Sequence, residues 1–111
     1  MLTWENVSHD YGAGPVLANV ALRIAPGEVL ALAGRSGCGK TSLLNMAAGL
    51  LAPTWGRVSN TFSHTACVFQ EPRLLPWRRT VDNIAFGLKA LGLPKAERLA
   101  RAHRLAERMG L

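Results

Sequence analysis

The eight residues Gly34-Arg35-Ser36-Gly37-Cys38-Gly39-Lys40-Thr41 fit the pattern Gly-x-x-x-x-Gly-Lys-Thr, and they restrict what the chain can fold into more than any other stretch. A triphosphate requires several hydrogen-bond donors converging on one point and a cation to spread its charge. Gly34, Gly37 and Gly39 allow positive φ, so successive N–H groups can curl into a concave anion nest clear of side chains. Lys40 brings an ammonium to the β and γ phosphates. Thr41 and Ser42 add hydroxyls, and the helix they open turns the positive end of its dipole toward the anion.

The flanks agree with that reading. Val29-Leu30-Ala31-Leu32-Ala33 is an unbroken apolar run, as expected of a strand buried on both faces of a parallel sheet. Ser42 to Leu50 is rich in helix formers and has Gly49 near its end. Strand, loop and helix therefore follow in the required order. The fold class expected is α/β: a P-loop NTPase half-domain with an antiparallel β ribbon, parallel core strands and the start of a helical subdomain.

A chain of 111 residues holds one domain at most, and its 49% hydrophobic content permits a packed core. The formal charge is +6, from 13 Lys and Arg against 7 Asp and Glu, which invites a nucleic-acid reading. Its distribution weakens that reading, because the basic residues from Lys95 to Arg108 interleave with Glu97 and Glu107 on a solvated helix. Cys38 lies inside the glycine loop, far in sequence from Cys67, and a reduced thiol is the simpler account of each. No apolar run reaches the roughly 20 residues that span a bilayer, and the start, Met1-Leu2-Thr3-Trp4-Glu5, lacks a basic region followed by an apolar stretch. The expectation is a chain neither integral to a membrane nor secreted by its own sequence.

Leu2 to His9 alternates loosely and reads as a half-exposed strand, and Val16 to Ile24 reads as a second, joined by a turn over Asp10 to Pro15. Tyr11 in that turn has two readings, a ring that stacks on a purine base or a turn residue with no ligand. Pro53 to Val58 reads as a turn into a short strand, and Thr65 to Gln70 as a second apolar strand whose end either places Gln70 toward the γ phosphate or leaves it an ordinary loop residue. Pro72 to Trp77 is an extended loop that leaves Leu74, Leu75 and Trp77 exposed. After it come a helix over Thr80 to Leu88 with Thr80 as its candidate cap, and a last helix from Pro94 to Gly110. That last helix carries Leu99, Ala102, Leu105, Ala106 and Met109 on one face. The boundary between sheet-like and helical sequence falls near Gln70, giving residues 1–70 as nucleotide-binding core and 71–111 as the start of the helical part.

Taken together, Tyr11, the loop Gly34 to Thr41, the string Val68-Phe69-Gln70-Glu71-Pro72-Arg73-Leu74-Leu75-Pro76-Trp77 and Val81-Asp82-Asn83-Ile84 resemble the ATP-binding subunit of an ABC transporter. Gln-Glu-Pro-Arg-Leu-Leu-Pro-Trp is most similar to the branch serving nitrate, sulfonate and taurine importers. The resemblance implies ATP and Mg²⁺ as cofactors, Tyr11 as the adenine-stacking aromatic and Gly34 to Ser42 as the phosphate loop. It also implies Thr41 and Gln70 as the residues at the metal. Glu71 to Trp77 and the helices that follow would receive the transmembrane permease subunits, and a second ATPase subunit completes the family's site. No specific nucleic acid is implied. The location implied is peripheral, on the cytoplasmic face of the cell membrane.

Two departures shape the expectations. The stretch from Ser59 to Ala66 is short and lacks an Asp-Gly turn, and the 111 residues contain no Leu-Ser-Gly-Gly-Gln signature and no apolar run ending in Asp-Glu. His9, His64 and His103 each lie outside the context of the family's switch histidine. Phosphate binding without those groups is uniform binding and does not by itself accelerate chemistry. The expectation is an amino-terminal half-site whose ATP turnover matches that of a Lys40→Ala control, measured as phosphate release from the purified chain. Bare sheet edges beside Ala33 and a tendency to aggregate are also expected. A P-loop enzyme of another class, such as a small-molecule kinase, and a basic nucleic-acid-binding protein are the competing readings.

Overall fold

Trp4 and Val7 are three residues apart, so strict strand alternation would send them to opposite faces of a sheet. Both nevertheless face the core. The computed structural model, which describes all 111 residues, resolves the conflict with a bulge. β1 (Leu2–Asp10) pairs antiparallel with β2 (Pro15–Ile24), matching Trp4 to Leu22 and Val7 to Val20, and the register shifts between those two pairs. Asn6 sits at the shift with φ 48°, a left-handed conformation that Asn tolerates better than most residues. β2 repeats the device with Asn19, also at φ 48°, between inward-facing Leu17 and Val20. The loose alternation of the sequence is thus a regular alternation interrupted at Asn6 and at Asn19, with a third register shift between His9 and Asp10 beside the turn.

β3 (Trp55–Asn60) pairs antiparallel with the other side of β1, giving the order β2-β1-β3. Gly56 adopts φ 88° opposite the Asn6 bulge. A Cβ added there would lie 2.4 Å from the Asn6 carbonyl oxygen and 2.6 Å from that of Glu5. On one face of the sheet lies α1 (Lys40–Ala47), whose Leu43 and Met46 join Trp4, Val7 and Leu17 in a single apolar cluster. Val7 at its centre has no exposed surface. Each such side chain contributes about 1.5–3 kcal/mol relative to exposure, so burial on this face outweighs the local cost of two left-handed asparagines.

Two segments expected as parallel core strands behave differently. Val29–Ala33 and Thr65–Gln70 form no ladder with any residue of the chain. Only Leu32 of the first packs against the core, while Val29 is 94% exposed and Val68 is fully exposed. A ladder belongs to a pair of strands, and every ladder in this chain is antiparallel through β1. The apolar composition of these segments is a fact of sequence, whereas their burial depends on a neighbour.

Contacts divide the chain into two units, Met1–Val68 and Phe69–Leu111. The second holds α2 (Thr80–Phe86), a 3₁₀ turn over Gly87–Leu91 and α3 (Lys95–Arg108). Thr80 is not the cap of α2. Arg79 occupies that position with extended backbone and makes no side-chain cap bond, since a guanidinium has no acceptor for the first-turn N–H groups; it donates instead to Asp82 at 2.9 Å. That hydrogen bond holds the Asp82 carboxyl below the usual range, with the charges of Arg79, Lys95 and Arg78 adding to it, and it raises Arg79. A depressed carboxylate stabilises the fold above its unfolded pKa and loses that contribution as pH falls through the folded one. Arg79→Ala is therefore expected to move the Asp82 titration upward, as followed by carboxyl carbon NMR.

Asn83 ties the exposed loop to α2. Its Oδ1 accepts from the Leu75 N–H at 2.7 Å, and its Nδ2 donates to the carbonyls of Leu75, Arg78 and Arg79 at 3.1–3.3 Å. Leu75 is half-buried beside this knot, while Leu74 and Trp77 point outward, Trp77 at 76% exposure. Removing the amide strands a partly buried N–H, at about 1–3 kcal/mol. Asn83→Ala is expected to speed hydrogen exchange at Leu75 about 5- to 100-fold while α3 stays protected. On α3 only Ala102 of the apolar stripe is fully buried, and Leu105 and Met109 remain exposed. No helix is long and apolar enough to cross a membrane.

Candidate functional site

The glycine loop leads directly into α1, and the first bond of that helix runs from the Leu43 N–H to the Gly39 carbonyl at 3.0 Å. The N–H groups of Lys40, Thr41 and Ser42 precede it and have no intrahelical acceptor. Gly39 joins loop to helix with φ 93°. It is buried, and a Cβ there would meet the Leu17 Cδ2 at 2.5 Å and the Val16 carbonyl oxygen at 3.2 Å. β2 therefore presses on the loop at a point where only glycine fits. Gly37 also takes positive φ, at 78°, as the sequence leads one to expect.

Gly34 does not. Its backbone is ordinary, and a Cβ there would lie 2.8 Å from the Cys38 Sγ, the tip of an exposed side chain that can turn aside. The Cys38 N–H closes the turn by donating to the Arg35 carbonyl at 3.3 Å. Arg35, Ser36, Gly37, Cys38 and Thr41 are exposed along the loop and at its exit, and both cysteines carry free thiols.

Lys40 is half-buried and its ammonium folds over the loop. Nζ donates to the Gly34 carbonyl at 2.7 Å, to the Arg35 carbonyl at 2.6 Å and to the Cys38 Sγ at 3.4 Å. Those three contacts use all the ammonium protons. Exposed bonds of this kind contribute about 0.5–1.5 kcal/mol each, whereas charge-assisted bonds to an anion are roughly twice as strong. A polyphosphate at the loop would offer the ammonium stronger partners than these carbonyls. From Gly34 to Ser42 there is no carboxylate, so the donor set suits an anion.

Tyr11 reaches the same place from the β1–β2 turn. Asp10 Oδ1 accepts from the N–H groups of Gly12 and Gly14 at 2.6 and 3.2 Å and shapes that turn. The Tyr11 hydroxyl lies 2.7 Å from the Oγ of buried Ser42, and its ring, 62% exposed, stands edge-to-face on His9 with centroids 4.4 Å apart. The fold thus gathers Tyr11, Gly34 to Lys40 and Ser42 about one helix end. The Tyr11–Ser42 bond has no signature in the sequence, because its partners are 31 residues apart. Gln70 is exposed and lies in the second unit. No group of three or more His, Cys, Asp or Glu side chains could hold a metal on its own.

The family model described as ABC transporter matches residues 17–111. Over its whole length the chain is 41% identical to the taurine import ATP-binding protein TauB of Escherichia coli O157:H7 and 40% identical to TauB of Escherichia coli strain K12. It covers 46% of each, so it spans about half the length of the curated relatives it matches. Among solved structures it resembles the ATP-binding cassette MJ0796 in a dimeric post-hydrolysis state bound to ADP and Pi. That match has a TM-score of 0.84 and 27% identity, and covers all of this chain and 58% of that one. A second dimeric MJ0796 structure, described as a bacterial ABC transporter cassette, matches with the same score at 28% identity. These likenesses bear out the P-loop NTPase half-domain and the transporter resemblance, and they do not favour the kinase or nucleic-acid readings. The chain belongs to the ABC transporter family, and its residues form part of that family's ATP-binding domain.

Proposed function

We propose that this chain binds Mg-ATP at Gly34 to Ser42 as part of the ATP-binding subunit of an importer for a small anion of the taurine, sulfonate or nitrate class. The observation that carries the reading is the Lys40 ammonium poised over the loop at 2.6–2.7 Å from two exposed carbonyls. Backbone N–H groups of the loop and of the first turn of α1 hold the phosphates, Lys40 neutralises them, and Ser42 offers its hydroxyl. Magnesium suits the site as an ion carried in on the nucleotide. It is a hard cation that keeps waters and phosphate oxygens, with Thr41 supplying one hydroxyl. When bound, ATP supplies the free energy that drives transport in such a subunit.

In the same reading Tyr11 stacks on the adenine. Gln70 to Trp77 and the helices after them face the permease, where exposed Leu74 and Trp77 offer apolar surface. A second ATPase subunit completes the site, and the assembly sits peripherally on the cytoplasmic face of the membrane. Titrating Mg-ATP into the purified chain by calorimetry tests the proposal. Saturable uptake at or below millimolar concentration is expected, and no uptake there overturns it.

A further inference from the structure

We propose that His9, held by Thr54, is a positioning residue that fixes the Tyr11 ring before any nucleotide arrives and so determines how much of the affinity comes from the base. This inference rests on the nucleotide reading of the site and concerns a residue outside the phosphate loop. His9 ends the inward-facing row of β1 and is only 6% exposed. Its Nδ1 lies 3.2 Å from the Thr54 Oγ1, which also accepts from the Asp10 N–H at 3.1 Å. Nε2 has no hydrogen-bond partner, so one end of the imidazole is anchored and the other is buried without reward. Buried polar atoms left unpaired are uncommon and call for a reason.

The geometry supplies one. The Tyr11 ring stands at 82° to the imidazole with centroids 4.4 Å apart, and its hydroxyl is bonded to Ser42 at the start of α1. The ring is thus gripped on one side by His9 and at its tip by Ser42, although it projects from a turn containing Gly12 and Gly14. Without His9, the ring on so permissive a turn would be held only at its hydroxyl, and the ligand would have to complete its ordering. Ordering one such side chain on binding weakens affinity about 2- to 12-fold. The loss falls mainly on the base, because the imidazole meets the Tyr11 ring and makes no hydrogen bond to any residue from Gly34 to Ser42.

Calorimetry with Mg-ATP and with inorganic magnesium tripolyphosphate, on the full chain and its variants, separates base from phosphate. His9→Ala and Thr54→Val are each expected to weaken Mg-ATP about 2- to 12-fold and to leave tripolyphosphate within twofold. Tyr11→Ala is expected to weaken Mg-ATP roughly 5- to 100-fold, a larger loss than for tripolyphosphate, whose site it touches only through Ser42. Adding His9→Ala to Tyr11→Ala is expected to change nothing further. Equal losses for both ligands, additive effects in the double variant, or unchanged ATP affinity in a folded His9→Ala would overturn the inference. Should His9→Ala fail to fold, Thr54→Val decides, and unchanged ATP affinity there overturns it. If the wild-type chain takes up neither ligand, the nucleotide reading falls and this inference with it. If it takes up both and the His9 and Thr54 variants are indifferent, this inference alone falls.

Discussion

Lys40→Ala should weaken Mg-ATP binding by at least about 100-fold while changing the stability of the chain by less than about 0.5 kcal/mol. The asymmetry follows from what the ammonium touches. In the chain alone, Nζ rests on the Gly34 and Arg35 carbonyls, exposed groups that water solvates equally well once the side chain is cut back. On a nucleotide the same ammonium serves two phosphates, and each charge-assisted bond contributes about 1.5–3 kcal/mol. Losing both gives about 3–6 kcal/mol, or roughly 10²- to 10⁴-fold in the dissociation constant. Lys40→Arg should not restore binding, because a planar fork cannot replace a compact ammonium in so tight a turn. Calorimetry on the three proteins, with urea melts alongside, checks both halves. A Lys40→Ala variant that binds like wild type would remove the phosphate loop from the account.

Gly56→Ala should destabilise the first unit by about 3–5 kcal/mol, the largest stability effect expected of any single methyl group in this chain. Two costs add. At φ 88° a non-glycine residue loses about 1–2 kcal/mol, and the new Cβ would sit 2.4–2.7 Å from the backbone of Glu5 and Asn6. Those neighbours are main chain on the central strand, so relief requires β1 and β3 to separate where Glu5 pairs with Arg57. Gly12→Ala is the control. Gly12 has φ 104° but open space around it, and only the conformational cost of about 1–2 kcal/mol is expected there. Urea denaturation followed by tryptophan fluorescence measures both, and equal losses would sink the claim that strand contact at the bulge is responsible.

The ease of reading differed from segment to segment for physical reasons. The loop and α1 were legible because glycines, Lys40 and a run of helix formers act locally, within a few residues of one another. β1 and β2 were legible as strands, but their bulges were not. Nothing about Asn6 or Asn19 in isolation demands φ 48°, which is adopted so that Trp4 with Val7, and Leu17 with Val20, share a face. At Thr80 the cap pattern placed the helix start one residue late, since Arg79 precedes the first turn and its guanidinium pairs with Asp82 inside it. Gly34 lacks the positive φ expected of it, so the conformational freedom of glycine is not used at that position.

By itself, the amino-acid sequence determined the donor chemistry of the glycine loop and the order of loop and helix, which reside in neighbouring residues, and membership of the ABC transporter family, which resides in short motifs read in order. Tertiary structure alone decided which apolar segments are buried and which residues meet across long separations. Val29–Ala33 is as apolar as any core strand, yet it lies open because a strand's burial depends on a partner's backbone. Tyr11, Ser42, His9 and Thr54 converge only because β1, α1 and the turn before β3 pack together, and contact between residues distant in sequence is written in no single stretch of chain.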